Sequence, residues 1–305
     1  MILLVWNCQG LGSPWTVCVL NELIRRHNPG LVFLSETKCK KRKCDALKER
    51  HNLFGISVDS IGKGGGLTLL WRKEVNVVIQ SFSNSHIDAV VSDESGTNGW
   101  RFTGVYGQPE AARRAETWNL LRFLSRASVR PWLYAGDFNE ILSQSEKTGA
   151  PRPQRQIHEF RSCLSDCQLA DLGFSGQSFT WCNQREYPYT VRVRLDRACA
   201  TLGWQSMFPT AQVVTKRARG SDHNPLVINL EAAASQNCKR RREMFRFEAM
   251  WARSPECETI IQQLWDREVQ GDSGMRIQQR TRLVRQGLIV WAKRALGISA
   301  AGSRN

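Results

Sequence analysis

The sequence predicts an α+β fold, a four-layer sandwich of two packed mixed β-sheets with helices on their outer faces. Three observations lead there. Strand-like and helix-like segments interleave over the first 230 residues, yet several strand-to-strand links are short turns, which argues against a doubly wound parallel sheet. Several strand-like runs are apolar throughout, as strands covered on both faces are. Four such runs also meet a polar group at one end: Leu3–Trp6 runs into Asn7, Leu31–Ser35 into Glu36, Trp132–Gly136 into Asp137 and Asn139, and Leu226–Ile228 follows Asp222 and His223. Strands of this kind in one core would gather those groups at a common rim, where hard-metal and phosphate chemistry would sit.

Taken in order, residues 1–7 read as a strand, followed by a loop from Cys8 to Pro14. Val19, Leu20, Leu23 and Ile24 carry helical spacing over Trp15–Arg26, and His27-Asn28-Pro29-Gly30 stops the helix. A strand over 31–35 ends at Glu36. Lys38, Lys40, Lys41, Arg42 and Lys43 then read as a solvated helix face, with phosphate contact as the second reading. Gly62-Lys63-Gly64-Gly65-Gly66 lacks the order of a phosphate-binding loop and precedes a strand at Leu67–Trp71, so it reads as a turn. Val75–Ile79, His86–Val91 and Trp100–Tyr106 continue as strands.

Ala111–Ser125 is amphipathic through Trp118, Leu121 and Leu124, and Ile157–Leu164 reads as a further helix. Ser178–Asn183 and Val191–Arg197 read as a hairpin around Gln184–Thr190, equally a groove-probing loop or a surface turn. Pro225 cannot donate to a ladder, so Gly220-Ser221-Asp222-His223-Asn224 is a turn that feeds the strand Leu226–Leu230. Beyond it, 231–253 reads as a basic linker containing Lys239-Arg240-Arg241-Arg242, and 254–305 as a helical tail. Ser254 is its N-cap and Pro255 its first turn. One stripe holds Ile260, Ile261, Leu264 and Trp265, and a second holds Ile277, Val284, Leu288 and Trp291.

Composition narrows the function classes. The formal charge is +15, with Lys and Arg outnumbering Asp and Glu by 29 to 20 in residues 1–230 and by 14 to 8 beyond. Such an excess suits a polyanionic partner, nucleic acid or an anionic membrane surface. No apolar run approaches the roughly 20 residues that cross a bilayer, and no signal-peptide pattern precedes the first strand, so a soluble intracellular protein is expected. The ten cysteines are scattered and read as reduced, packed thiols, and the close pairs Cys39/Cys44 and Cys163/Cys167 lack the spacing of a zinc site.

Six ordered motifs resemble the endonuclease/exonuclease/phosphatase superfamily over about residues 1–230: Trp6-Asn7-Cys8-Gln9-Gly10, Ser35-Glu36-Thr37, Gly104-Val105-Tyr106, Gly136-Asp137-Phe138-Asn139, Leu195-Asp196-Arg197 and Gly220-Ser221-Asp222-His223-Asn224-Pro225. Within it, Phe179-Thr180-Trp181-Cys182-Asn183, Arg194-Leu195-Asp196-Arg197-Ala198 and Phe245–Trp251 are similar to the apurinic-type endonuclease domain of plant LINE-type (non-LTR) retrotransposons. A reverse transcriptase follows in those elements, so the chain is expected to be a fragment of a longer protein with that enzyme as downstream partner.

The resemblance implies a DNase I-like fold and a division of labour. Glu36 would be the principal Mg²⁺ ligand (Mn²⁺ as substitute), with Asn7 and Asp222 beside it. Asp137 and Asn139 would position or deprotonate the attacking water, and Tyr106 would donate to the phosphate. His223, oriented by Asp196, would balance the developing charge; Asp137 and His223 both remain open as the general base. Asn183, Ser221 and Arg194 would contact substrate. Repair-type members carry Asp where Gln9 stands, so a second acidic metal contact is missing here. The implied activity is Mg²⁺-dependent nicking of duplex DNA to leave a 3′-hydroxyl that primes reverse transcription, in the nucleus, with no membrane and no obligate protein partner. The alternatives are a phosphoesterase acting on phosphoinositides or another small phosphoester, and an inactive nucleic-acid-binding fragment.

Overall fold

The computed structural model describes residues 1–62, 64–92, 99–231 and 254–267, with single helical positions between 276 and 291. The chain divides into two units, 1–235 and 236–305. In the first, β1 (Ile2–Asn7), α1 (Pro14–His27), β2 (Leu31–Ser35), α2 (Lys41–His51), β3 (Leu53–Val58) and β4 (Leu67–Arg72) come first. Then follow β5 (Asn76–Phe82), β6 (His86–Ser92), β7 (Trp100–Tyr106), α3 (Arg114–Ala127), β8 (Trp132–Asp137) and α4 (Gln154–Asp166). The remainder is β9 (Ala170–Asp171), β10 (Ser175–Gly176), β11 (Trp181–Cys182), β12 (Arg192–Val193), β13 (Asp196–Ala200), α5 (Leu202–Met207), β14 (Gln212–Thr215) and β15 (Leu226–Asn229).

Seven strands form one sheet in the order β10-β14-β15-β1-β2-β4-β3, and six form a second in the order β5-β6-β7-β8-β13-β9. Both sheets are mixed, because β1 pairs with β2 and β7 with β8 in parallel while most other neighbours are antiparallel. Leu3, Val5, Phe33 and Leu69 of the first sheet meet Ile87, Phe102, Leu133 and Ala135 of the second in the central core. The odd-even alternation of a strand sends Leu4, Trp6, Val32 and Leu34 to the other face, where α1 and α2 cover them with Leu20, Leu23, Ile24 and Leu47. Trp118 and Leu121 of α3 and Phe160 of α4 cover Trp132 and Tyr134 of β8 in the same way. The strands are uniformly apolar because they are sandwiched, and the four layers follow.

The helix stops are local. Asn28, in the left-handed conformation at φ 45°, caps α1 by donating its N–H to Ile24 O at 2.9 Å. Ser13 accepts from Thr16 N at its start. Two expectations change. The hairpin over 178–197 keeps only a two-residue ladder, β11 with β12, because the chain then crosses to the second sheet, where Asp196–Ala200 is buried along its whole length against β8. The strand expected at Val75–Ile79 extends to Phe82 across a register shift. The short pieces β9, β10, β14 and α5, together with β3, carry no periodic signal long enough to predict them.

The second unit contains a helix, Pro255–Trp265, with Ser254 at its N-cap accepting through its backbone carbonyl and Pro255 at the first position. Cys257 is buried, and Trp291 Nε1 donates to Glu256 at 2.9 Å. Lys239–Arg242, Phe245–Trp251 and Ile277 lie outside the described residues.

Candidate active site

Strand register decides where the polar groups collect. The parallel pairing of β1 and β2 sets Asn7 beside Ser35, so the next residue, Glu36, emerges at the same rim. In the facing sheet, parallel β7 and β8 set Tyr106 beside Asp137, and antiparallel β13 begins there with Asp196 opposite Asp137. Antiparallel β15 enters from the 220–225 turn and brings His223 to that rim. The turn is pinned to β1: Trp6 Nε1 donates to His223 O at 2.9 Å, and Ser221 Oγ donates to Asn7 O at 2.8 Å while accepting from His223 N at 3.0 Å.

Asn7 is the hub. Its Nδ2 lies 3.0 Å from Asp137 Oδ2, 3.3 Å from Glu36 Oε1 and 3.4 Å from His223 Nε2. The Tyr106 hydroxyl donates to Glu36 Oε1 at 2.7 Å, and the Lys38 ammonium lies 2.9 Å from Glu36 Oε2 while also donating to Gln9 Oε1. Burial pushes the Glu36 carboxyl up, but the hydrogen bonds from Tyr106 and Lys38, the Lys38 charge and Asn7 outweigh it and hold the group below its ordinary range. Glu36 is therefore an anion at neutral pH. Burial, and then the same carboxylate, raises the Tyr106 phenol, so Tyr106 stays a donor.

His223 Nδ1 lies 2.8 Å from Asp196 Oδ2, and Nε2 lies 3.8 Å from Asp137 Oδ2. Burial disfavours the imidazolium, yet Asp196 and Asp137 overcome it and lift the pKa to about 10. Burial raises Asp137 to about 7, against the pull of His223 and the hydrogen bonds from Asn7 and the Asn139 backbone. Asp196 is fixed from behind, since Thr180 Oγ1 accepts from Leu195 N and Asp196 N, both at 2.9 Å. At neutral pH the site thus holds a protonated imidazole between two buried carboxyls, one of them poised to gain or lose a proton.

Several residues here adopt the left-handed backbone that non-glycine residues rarely use: Gln9 (φ 51°), Glu36 (φ 49°), Lys38 (φ 49°) and Asn139 (φ 54°). Such conformations persist where the surroundings over-determine them, and four of them gather at this rim.

Two groupings fit a cation. Asp137, Asp196 and His223 offer ligand atoms within 4.8 Å of one another, all buried. That trio is already engaged internally, because the Asp196 hydrogen bond takes Nδ1 and a protonated imidazole has no lone pair to give a metal. Glu36 is the better hard-cation donor. It is a half-buried oxygen anion, and it already holds a cation, the Lys38 ammonium, in a position that a hydrated divalent ion would contest.

The other expected site residues divide. Asn139 lies at the rim but its amide is spent on the turn, donating to Gly107 O at 2.8 Å and to Asp137 Oδ2 at 3.3 Å, while its N–H donates to Asp137 Oδ1. Asp222 accepts from Trp181 Nε1 at 2.8 Å and Gln9 Nε2 at 3.4 Å, and reaches Glu36 through the Gln9 and Lys38 chain. Asn183 lines the cleft with Gln9 and Asp222, yet its side chain folds back on Tyr189 O and Val191 N. Arg194 is a correction: its side chain is 1% exposed, stacks 3.6 Å from the centre of the Phe174 ring and pairs with Asp171, so it belongs to the interior and not to a substrate surface. Its burial follows from the crossing between β12 and β13, where every residue from Val193 to Ala200 is buried and no face is left to solvent.

Thr180, Trp181 and Trp6 are site residues to which the sequence assigned no role, and Lys38, expected on a solvated helix face with phosphate contact second, pairs with Glu36 instead. Lys38 was hidden in a run of lysines, although it is the one nearest Glu36 in sequence. The indole and hydroxyl groups act through backbone and carboxylate partners more than 15 residues away, which no local pattern encodes.

Comparison with solved structures agrees with this architecture. A 3′ phosphatase, NExo, from Neisseria bound to product DNA hairpin is similar at TM-score 0.58 and 17% identity, over 76% of this chain and 99% of that one. The endonuclease domain of TRAS1, a telomere-specific non-LTR retrotransposon, is similar at TM-score 0.58 and 13% identity, over 75% and 97%. An AP endonuclease from Archaeoglobus fulgidus is similar at TM-score 0.59 and 15% identity, over 75% and 98%. At these identities the likeness is one of fold. No curated protein matches the chain. The sequence profile of the endonuclease/exonuclease/phosphatase family matches residues 4–223, which span both sheets and every rim residue from Asn7 to His223, and the chain belongs to that family.

Proposed function

We propose that the chain is a Mg²⁺-dependent endonuclease that nicks duplex DNA and leaves a 3′-hydroxyl, as the endonuclease of a plant LINE-type element would to prime reverse transcription in the nucleus. The observation that carries the reading is the buried Asp196–His223–Asp137 series beside the Glu36 anion. The retrotransposon endonuclease and DNA-bound phosphatase among similar folds, together with the +15 charge, support DNA as the substrate. Residues 1–230 would be the catalytic domain, 231–253 a linker and 254–305 a connector towards a reverse transcriptase.

Each group has a definite task in this reading. Asp137, poised near neutrality, takes the proton from the attacking water, and Asn139 and Asn7 fix its two oxygens. His223 is already charged, so it is no base; it sets a cation against the charge that develops on the scissile phosphate, and Asp196 holds its ring. Tyr106 donates to a phosphate oxygen. A divalent ion on Glu36, with Asn7 and the more distant Asp222 nearby, would supply Lewis-acid neutralisation of the phosphate and leaving oxygen. Ser221 serves by tying the His223 turn to Asn7.

The test is supercoiled plasmid incubated with the purified chain and Mg²⁺, followed by extension with a DNA polymerase. Conversion to an open circle whose nick the polymerase extends without end repair is the expected result. Release of phosphate from inositol phosphates with plasmid left intact would replace this reading by that of a small-phosphoester phosphatase.

A further inference from the structure

Beside the catalytic turn, and sharing Ser221 and Asp222 with it, lies a cavity of about 680 Å³ whose arginines and aromatic rings have no part in the chemistry above. Arg192, Arg217 and Arg219 line it, together with Phe179, Trp181 and the Asp222 carboxylate. The three arginines are exposed, and among the described residues their guanidinium groups have no carboxylate partner, whereas Asp222 is held by Trp181 and Gln9. The aromatic pair is half-buried, so part of each ring faces the opening. The cavity is continuous with the active-site cleft. Gln184, Gly220, Ser221 and Asp222 line both it and a second hollow of about 490 Å³, which reaches Gln9, the neighbour of Lys38 and Glu36.

A concave, cationic space with aromatic edges cannot accept a paired nucleotide, whose base is turned into the duplex. It suits an unpaired one, whose phosphate meets guanidinium groups and whose base meets a ring. The volume falls in the range of small-ligand sites. We propose that this cavity is a subsite for single-stranded DNA: it takes a nucleotide of a strand that leaves the duplex beside the cut, with its phosphate on Arg217 and Arg219 and its base against Trp181 and Phe179. The protein then prefers junctions of duplex and single strand over uninterrupted duplex. The proposal rests on the endonuclease reading for the identity of the ligand, and extends it to the shape of the preferred substrate.

The test is fluorescence anisotropy of the full chain in EDTA, which separates binding from cleavage. The probes are a blunt duplex and the same duplex with a short single-stranded tail at its 3′ or its 5′ end. With the wild type, one tail polarity is expected to bind about tenfold more tightly than the blunt duplex, the worth of one stacked base. Arg217→Gln with Arg219→Gln is expected to erase that margin and to reduce the slope of log K against log salt on the tailed probe by about 0.7, for one single-strand phosphate. Arg219→Glu alone, at an exposed position, must weaken the tailed complex in the same direction; circular dichroism verifies folding. Equal binding of tailed and blunt probes by the wild type, or a margin that survives the double substitution, overturns the proposal. Plasmid nicking is scored in parallel with Mg²⁺, so a chain that nicks without tail preference refutes this subsite alone, and one that binds tails without nicking refutes the nuclease reading alone.

Discussion

At the scale of the residue, the site is a problem of charge held out of water. His223 and Asp137 are both almost fully buried, 3% and 1% exposed, and neither would keep its charge alone. Asp196, Asn7 and the Asn139 N–H make the arrangement affordable by satisfying their remaining polar atoms. Because the two titrations interact, the pH profile belongs to the pair. Nicking is expected to rise as pH increases through about 7, where Asp137 becomes a base, and to fall through about 10, where His223 loses its proton. The sign for stability is consistent: a histidine raised above its ordinary value contributes stability that is complete below about 6.5 and disappears as pH rises through about 10. Asp196→Asn removes the largest favourable charge on His223, so the alkaline limb should move towards neutrality while the acid limb moves less. A pH–rate series on both proteins measures this, and an unmoved alkaline limb would show that His223 is not the group that titrates. These residues were legible in the sequence because each ends or begins an apolar run. Their partners were less so: the grip of Thr180 on Asp196 and of Trp181 on Asp222 spans segments that only the folded chain brings together.

At the scale of the element, precision comes from how closely the two sheets approach. Gly104 in β7 faces Phe33 in β2, and a Cβ there would lie 2.2 Å from the Phe33 ring, with Tyr106 two residues on along the same strand. Gly104→Ala must therefore move Phe33 or separate the sheets, at a cost of about 1–3 kcal/mol. Urea unfolding is expected to show that loss of stability, with activity falling further than stability alone explains because Tyr106 and Glu36 sit on opposite sheets. An unchanged midpoint would mean that the sheets have slack at this position. Long apolar strands and the α1, α3 and α4 stripes were readable from periodicity. The hairpin 178–197 misled because its alternation continues past Val193, whereas burial of Asp196–Ala200 against β8 outweighs further pairing with β11. Two-residue strands such as β9 and β10 are fixed by their neighbours and leave no pattern to read.

At the scale of the molecule, fold and chemistry are one design. Pairing β1 with β2 and β7 with β8 in parallel lets four strands end at one rim, and starting β13 and β15 there adds Asp196 and His223. The fold class was legible because it follows from run length and turn spacing. The sheet order was not, since β15 and the turn before it, whose His223 lies 217 residues after Trp6, meet β1 only once the sandwich has closed. Under the proposed function this rim is a metal-dependent phosphodiester site in which Glu36 and His223 have separate, necessary tasks. The most direct measurement compares plasmid nicking by wild type, Glu36→Ala and His223→Ala, each with Mg²⁺ and with EDTA. Nicking is expected from wild type with Mg²⁺ alone, with a loss of about 10²–10⁴-fold in His223→Ala and a loss in Glu36→Ala that excess Mg²⁺ partly restores. Wild-type nicking that persists in EDTA, or a fully active Glu36→Ala, would contradict it.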